Sequence, residues 1–422
     1  VNGDRWDDAC DFALRGASEL VTMAGPDVGL VAGGALAARD GRVVWVGEEG
    51  ELERAVALRD DALVVDAEGA AVLPGFVDAH THAVFAGERS GEYGERLAGV
   101  SYRQILARGG GINATVRATR LVSEGELADL TRRRLDSFLL HGTTTLEVKS
   151  GYGLTVEDER KMLQAAAVPH PTRRLRTMLG AHFTPDEYAG RDDAYIDHVA
   201  GEMVPALRDE AESCDVFCDE GAFTVQQARR VLEAARAAGY RCRIHADELA
   251  RSGGSLLAAE LGCQSADHLV HAGPEEIEAL RAAGVVAVLL PGTSYTLHSA
   301  YAPARAFLEA GVTIALASDF NPGTCFCENL QMIVSLACQE MRLGPAEALR
   351  AATLGGARAL GLQDEVGSLQ PGKRCDLLVL RAATHRELPY HFGVNLVDTV
   401  VVDGRVVVSG GSRVADDPGT GP

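Results

Sequence analysis

His80 and His82 stand one residue apart at the end of the stretch Gly75-Phe76-Val77-Asp78-Ala79-His80-Thr81-His82. The residues leading to them, Ala71, Val72, Leu73, Phe76 and Val77, read as a buried strand entered through Pro74-Gly75. Side chains i and i+2 of extended backbone point the same way, so both imidazoles can reach one ion. Imidazole nitrogen suits zinc or iron, and two such ligands need one or two partners from elsewhere. Alone, His-x-His is too short to exclude two surface histidines in a turn. The buried strand before it gives the pair its weight.

Distant partners require a scaffold that returns the chain to this strand end. After residue 70 strands and helices alternate. Strand-like segments run through 71–79, 144–149, 175–182, 215–219, 241–246, 265–270, 285–290 and 312–319, with helix-like stretches such as 124–140, 225–238, 274–283 and 302–310 between them. Eight strands alternating with helices predict an α/β fold, a (β/α)8 TIM-like barrel whose chemistry sits at the C-terminal strand ends. Both chain ends have another texture. Segments 20–23, 29–38 and 43–46, then 375–380 and 399–408, are apolar and β-prone, broken by Gly33-Gly34, Asp40-Gly41 and Asp403-Gly404. They are expected to form one small β-sandwich from residues 1–70 and 366–422, beside a barrel at 71–365. Residues 411–422 read as a loose Gly/Ser/Pro-rich tail, and no internal repeat is visible.

The barrel reading brings five side chains to one rim. The first strand ends in His80 and His82, the fifth in His245, and the eighth at Asp319, while the sixth carries His268. One such histidine would usually be a satisfied core residue. Four histidines and an aspartate at one mouth point instead to a metal centre.

This pattern resembles the amidohydrolase superfamily, with His-x-His on strand one, one His each on strands five and six, and Asp on strand eight. The stretches Glu147-Val148-Lys149-Ser150-Gly151-Tyr152-Gly153, Gly180-Ala181-His182, His245-Ala246-Asp247-Glu248 and Ser318-Asp319-Phe320-Asn321-Pro322-Gly323-Thr324 resemble, more narrowly, the imidazolonepropionase family along the whole chain. The resemblance implies that His80, His82, His245 and Asp319 hold one Zn2+ or Fe2+/Fe3+. Two-metal relatives use a carboxylated lysine on strand four. Here Lys149 ends the second strand and the fourth runs into Asp219-Glu220, so one metal is expected and Lys149 is read as a supporting cation. Such a metal lowers the pKa of a water towards about 7. Asp319 can take the proton, His268 can bond the water or developing oxyanion, and Glu248 can carry a proton to the departing ring nitrogen. Which of the three moves which proton stays open.

The substrate implied is 4-imidazolone-5-propanoate, opened hydrolytically to N-formimidoyl-L-glutamate in histidine degradation. Arg89 matches the family's carboxylate-binding arginine, and guanidinium can bind that group in a fork. Tyr152, His182, Glu248, Asn321, Gly323 and Thr324 match the remaining substrate contacts. Deaminases acting on cytosine or guanine share the metal pattern, but Arg89 and Asn-Pro-Gly-Thr favour a carboxylated substrate. Non-catalytic relatives that act as assembly proteins typically lack the ligands, and here every ligand position is filled. Gly109-Gly110-Gly111 has no Lys-Ser/Thr after it, so it is read as a flexible segment near the site and not as a phosphate loop.

Bulk properties narrow the partners. The 422 residues suit one large domain with a smaller one, and a hydrophobic fraction of 46% is ordinary for a globular protein. A formal charge of −20 disfavours nucleic acid and anionic membrane as partners. No apolar run approaches the roughly 20 residues of a membrane span. The polar, acidic start shows no signal peptide. Nine cysteines without framework spacing point to a reducing cytoplasm, and Cys214, Cys218, Cys325 and Cys327 are read as free thiols and not as ligands. The resemblance adds a homodimer.

Overall fold

Gly75 splits the apolar run 71–79, because a Cβ there would strike the side chain of Thr144. Ala71–Pro74 consequently pairs with Leu377–Leu380 and Glu19–Val21 in a terminal sheet, and only Phe76–Asp78 enters the barrel. What reads as one strand is therefore two, in different sheets. The computed structural model describes residues 9–414 except 26, 101–103, 106 and 107, so residues 1–8 and most of the expected loose tail lie outside it.

Eight parallel strands follow in chain order: β1 Phe76–Asp78, β2 Thr143–Lys149, β3 Arg173–Ala181, β4 Ser213–Cys218, β5 Arg241–Ala246, β6 Ser265–His268, β7 Val286–Leu289 and β8 Ile314–Leu316. Strands covered on both faces are normally continuous apolar runs. β2 departs from that pattern. It is buried along its length yet carries three threonines, Glu147 and Lys149.

The seam between β8 and β1 is closed past the strand ends. Asp319 N–H donates to the His80 carbonyl at 3.0 Å, and His82 N–H donates to the Phe320 carbonyl at 2.8 Å. Asp78 Oδ1 accepts from Ser318 N–H at 3.0 Å, and burial pushes the Asp78 carboxyl up to about 7. Behind the seam, helix Gly356–Leu360 lies against β1 so closely that a Cβ on Gly356 would collide with the Val77 carbonyl oxygen. Outer helices begin where the sequence offers caps. Ser123 with Glu126 opens Glu124–Leu140, and Thr224 with Gln227 opens Val225–Ala237.

The chain ends form two further sheets. One has four strands, in the order Arg42–Glu48, Gly34–Arg39, Cys10–Arg15, Leu58–Asp66. The other has seven and draws on both ends of the chain. Phe12, Leu14 and Leu36 from the first meet Leu20, Val72, Leu377 and Val401 from the second in a common core.

Three expectations change in detail. The segment 29–38 breaks at Gly33, whose φ of +57° turns the chain from one sheet into the other. Cys10–Arg15 and Leu58–Asp66 are strands that apolar patterning does not reveal, the second because its exposed positions dominate. The sixth and eighth barrel strands are shorter than 265–270 and 312–319, because His268 (φ 76°), Leu269 (φ 58°) and Asp319 (φ 50°) leave extended backbone.

Gly356→Ala is expected to destabilise the protein by about 1–3 kcal/mol, the usual cost of overpacking. Gly50→Ala, where a Cβ meets nothing, should leave the denaturant midpoint unchanged. Equal midpoints for the two variants would remove the tight helix–strand approach as a stability determinant.

Candidate active site

Just past β1, His80 is fully buried and donates its Nδ1–H to Asp267 Oδ2 at 2.6 Å. That bond fixes the tautomer and leaves Nε2 with a lone pair, and Nε2 is buried with no hydrogen-bond partner. The Nε2 atoms of His80 and His82 each lie 3.6 Å from Asp319 Oδ1. His245, on β5, places its ring 4.5 Å from that of His80, with Nδ1 3.0 Å from Asp215 Oδ2 but out of line for a hydrogen bond. Burial lowers the pKa of His80, His82 and His268 well below the ordinary histidine value, so all three imidazoles are neutral near pH 7.

Ligand-capable atoms of His80, His82 and His245 lie within 4.8 Å of one another, as do those of His80, His268 and Asp319. The buried, unpartnered Nε2 atoms of His80 and His268, clustered with one carboxylate, fit a zinc- or iron-type ion. His80, His82, His245 and Asp319 can hold it. His268 is close enough to belong to the cluster, and its Nε2 is also unpartnered.

The floor beneath this cluster is charged. Lys149 Nζ donates to Glu147 Oε1 at 2.8 Å and to Asp215 Oδ2 at 2.6 Å, with Asp267 Oδ2 at 3.8 Å. Burial alone would lower the Lys149 ammonium, but Asp215 and Glu147 outweigh it and raise its pKa. The Lys149 ammonium thus lies among these carboxylates beneath the histidines. Arg243 is buried beside it, 3.1 Å from Glu147 and 3.4 Å from Asp267.

Above the cluster opens a cavity of about 380 Å3. His82, Arg89, Tyr152, His182, His245, Glu248, His268, Asp319, Asn321 and Thr324 all line it, so the structure brings these expected residues together. His80 lies beneath its floor. Gly323 faces an adjoining pocket, where a Cβ would come within 2.6 Å of Arg89 Nη1. Arg89 is aimed by Glu92, which accepts its Nε–H at 2.8 Å and also the Gly111 N–H at 2.8 Å. The triple glycine thus borders the site. Asn321 Oδ1 accepts from the Gly323 and Thr324 amides at 2.8 and 2.7 Å, and its Nδ2 donates to the Asp319 carbonyl at 2.7 Å.

Glu248 enters the cavity from the loop after β5. Burial, with Asp319 and Asp219 nearby, raises its pKa well above the ordinary carboxylate value, the direction that favours a proton donor. Its Oε1 lies 3.7 Å from His268 Nδ1. Burial pushes the Asp319 carboxyl up to about 6 and the His182 imidazole down to about 3. His182 Nδ1 donates to the Gly151 carbonyl at 2.9 Å, and its ring stacks 5.2 Å from His82.

Sequence reasoning missed Asp267, Asp215 and Glu147 behind the histidines, and the apolar walls Ile112, Phe217, Leu249 and Leu297 with Arg96. The position of the three acids on inward faces of parallel strands is the one signal that could have found them. All nine cysteines are free, and among the described residues none joins a metal-capable cluster. No helix among them is long and apolar enough to cross a membrane.

Residues 71–407 match the model of the amidohydrolase family. The chain is 50% identical over 416 residues to an imidazolonepropionase of Symbiobacterium thermophilum, covering 95% of this chain and 98% of the relative. An imidazolonepropionase of Haloarcula marismortui is 47% identical over 405 residues, with 94% and 96% covered. Among solved structures, an adenosine deaminase from Xanthomonas campestris with bound zinc superposes with a TM-score of 0.75 at 22% identity, over 97% of this chain and 95% of that one. A triazine hydrolase variant gives 0.74 at 20%, with 96% of each chain covered. At such identities these two report the shared fold.

Asp267→Asn is expected to weaken metal binding about 10- to 100-fold, as loss of a carboxylate behind a ligand histidine usually does. Competition against a chromophoric chelator measures it. Unchanged affinity in a folded variant would show that Asp267 does not orient His80.

Proposed function

The chain belongs to the amidohydrolase family and, within it, to the imidazolonepropionases, and from that membership we propose how its barrel mouth opens a cyclic amide. The protein is a hydrolase that opens the ring of 4-imidazolone-5-propanoate to N-formimidoyl-L-glutamate, in histidine degradation. The observation that carries the assignment of roles is spatial. One cavity of about 380 Å3 has the His/Asp cluster, Glu248 and Arg89 around it.

Arg89 binds the propanoate arm. Its Nε is committed to Glu92, so its terminal nitrogens, held against Gly323, remain to form the fork. Asn321 and Thr324 shape the strap next to them. Tyr152 and His182 form the wall that meets the ring. With Nδ1–H given to Gly151, His182 keeps Nε2 as an acceptor for a ring N–H.

His80, His82, His245 and Asp319 hold a single zinc or iron ion in this reading, which supplies Lewis acidity that lowers the pKa of water towards about 7. Water adds to the ring carbonyl carbon, and Asp319 is placed to accept its proton. His268 is close enough to steady the developing oxyanion. The C–N bond then breaks, the ring nitrogen takes a proton from Glu248, and the carbonyl carbon becomes the new carboxylate. Apolar Phe217, Leu249 and Leu297 keep bulk water from these transfers. Nine free cysteines favour a reducing cytoplasm, and exposed Tyr390 and Phe392 favour a second copy as partner, giving a cytoplasmic homodimer.

Metal-loaded protein given fresh imidazolone propanoate should yield formimidoylglutamate by mass spectrometry, and chelation or His245→Ala should abolish it. Absence of turnover from protein that holds one metal would sink the assignment. Glu248→Gln should lower kcat by about 10^2–10^4 with little change in KM, the range for losing a general acid–base. Arg89→Met should instead raise KM about 10- to 100-fold, the loss of a charged hydrogen bond.

A further inference from the structure

Behind Tyr152 and His182 lies a carboxylate that the reaction does not use. Glu159, on the helix Val156–Ala166, is fully buried. Its Oε1 accepts from the Gly153 and Leu154 amides, each at 2.8 Å, and its Oε2 accepts from the Gly151 amide at 3.0 Å. Three backbone N–H groups of one four-residue loop therefore converge on a single side chain, the concave arrangement that protein backbone uses to bind anions. Here the anion is built in.

This loop carries both residues of the recognition wall. Tyr152 sits between two of the bonded amides. The Gly151 carbonyl is the acceptor of His182 Nδ1–H, and a Cβ on Gly151 would come within 2.9 Å of that nitrogen. Leu154 (φ 59°) holds a left-handed backbone conformation that a leucine adopts only where the surroundings impose it. A charged acceptor in a buried setting is the strongest available hold on such amides.

We propose that Glu159 is a positioning residue for substrate recognition, acting through the amides of Gly151, Gly153 and Leu154 to set where Tyr152 and His182 meet the substrate ring. The proposal rests on the reading of those two side chains as substrate contacts. Glu159 touches neither the substrate nor the metal cluster, so its effect falls on binding and not on the chemical step.

Glu159→Gln keeps the shape but turns an N–H2 group towards amide donors, so the loop must shift. Steady-state kinetics of the holoenzyme should show KM raised about tenfold, one charged hydrogen bond's worth, with kcat within about threefold and metal content unchanged. Combined with Tyr152→Phe, KM should rise by clearly less than the product of the two single effects, since both act in part at the Tyr152 contact. A purely structural staple would lower kcat, metal content and thermal midpoint together while leaving KM in place, and that result overturns the proposal, as does multiplication of the two KM effects. If Tyr152→Phe and His182→Asn each leave KM unchanged, the reading of the wall fails and takes the proposal with it. If those two raise KM but Glu159→Gln does not, the proposal alone fails. Should Glu159→Gln not fold, Gly153→Ala displaces the loop from the same helix by another route, because its Cβ would meet the backbone Asp158 carbonyl carbon and Glu159 nitrogen, each at 2.5 Å. It should give the same rise in KM.

Discussion

Everything at the barrel mouth rests on the buried charges beneath it. Glu147, Asp215 and Asp267 meet Lys149 and Arg243 in a space without solvent. None of these groups can lose its partner cheaply, since breaking a buried pair costs about 3–5 kcal/mol. Arg243 extends the constraint to backbone, donating to the Ala79 carbonyl at 2.7 Å and to the Ala359 carbonyl at 2.8 Å. It thereby ties β5 to the residue preceding His80 and to the helix packed behind the seam. The charged floor and the closure of the barrel are one construction.

The same floor gives the histidines their character. Two of its carboxyl groups face outward, Asp267 to His80 and Asp215 to His245. Burial removes the proton that the His80 imidazole would pick up in mild acid, and Asp267 orients its neutral ring. The loops above obey a related economy. Asp219 accepts the amides of Glu248 and Leu249 at 2.6 and 3.0 Å, Glu159 those of the Tyr152 loop, and Asn321 those of the strap beside Arg89. These three loops are each held by a side-chain oxygen from beneath or beside them.

The histidines and Asp319 were legible because strand ends and short spacings put them in one place before any contact is known. Arg89, Tyr152 and Asn321 became legible only through resemblance, since nothing in an isolated arginine or tyrosine distinguishes a wall from a surface. Asp267 and Asp215 offered only their place on barrel strands, and Glu159 offered no signal. Their roles come from neighbours far along the chain, and an acid on a strand or helix reads as solvated until its face is known to be buried. The eighth strand was overextended for a related reason. Its apolar pattern continues through Ala315 and Ala317, while the left-handed turn at Asp319 that re-aims the ligand is a tertiary demand.

Ala71–Pro74 pairs on one side with Glu19–Val21 and on the other with Leu377–Leu380. During synthesis the first of these partners is already in hand, but the second leaves the ribosome only after the entire barrel. At roughly 5–20 residues per second, that wait lasts tens of seconds. The terminal domain is thus a late clasp. A nascent chain can form its barrel early, yet it carries an open apolar edge until its last strands emerge, and that edge is open to non-native pairing over the interval.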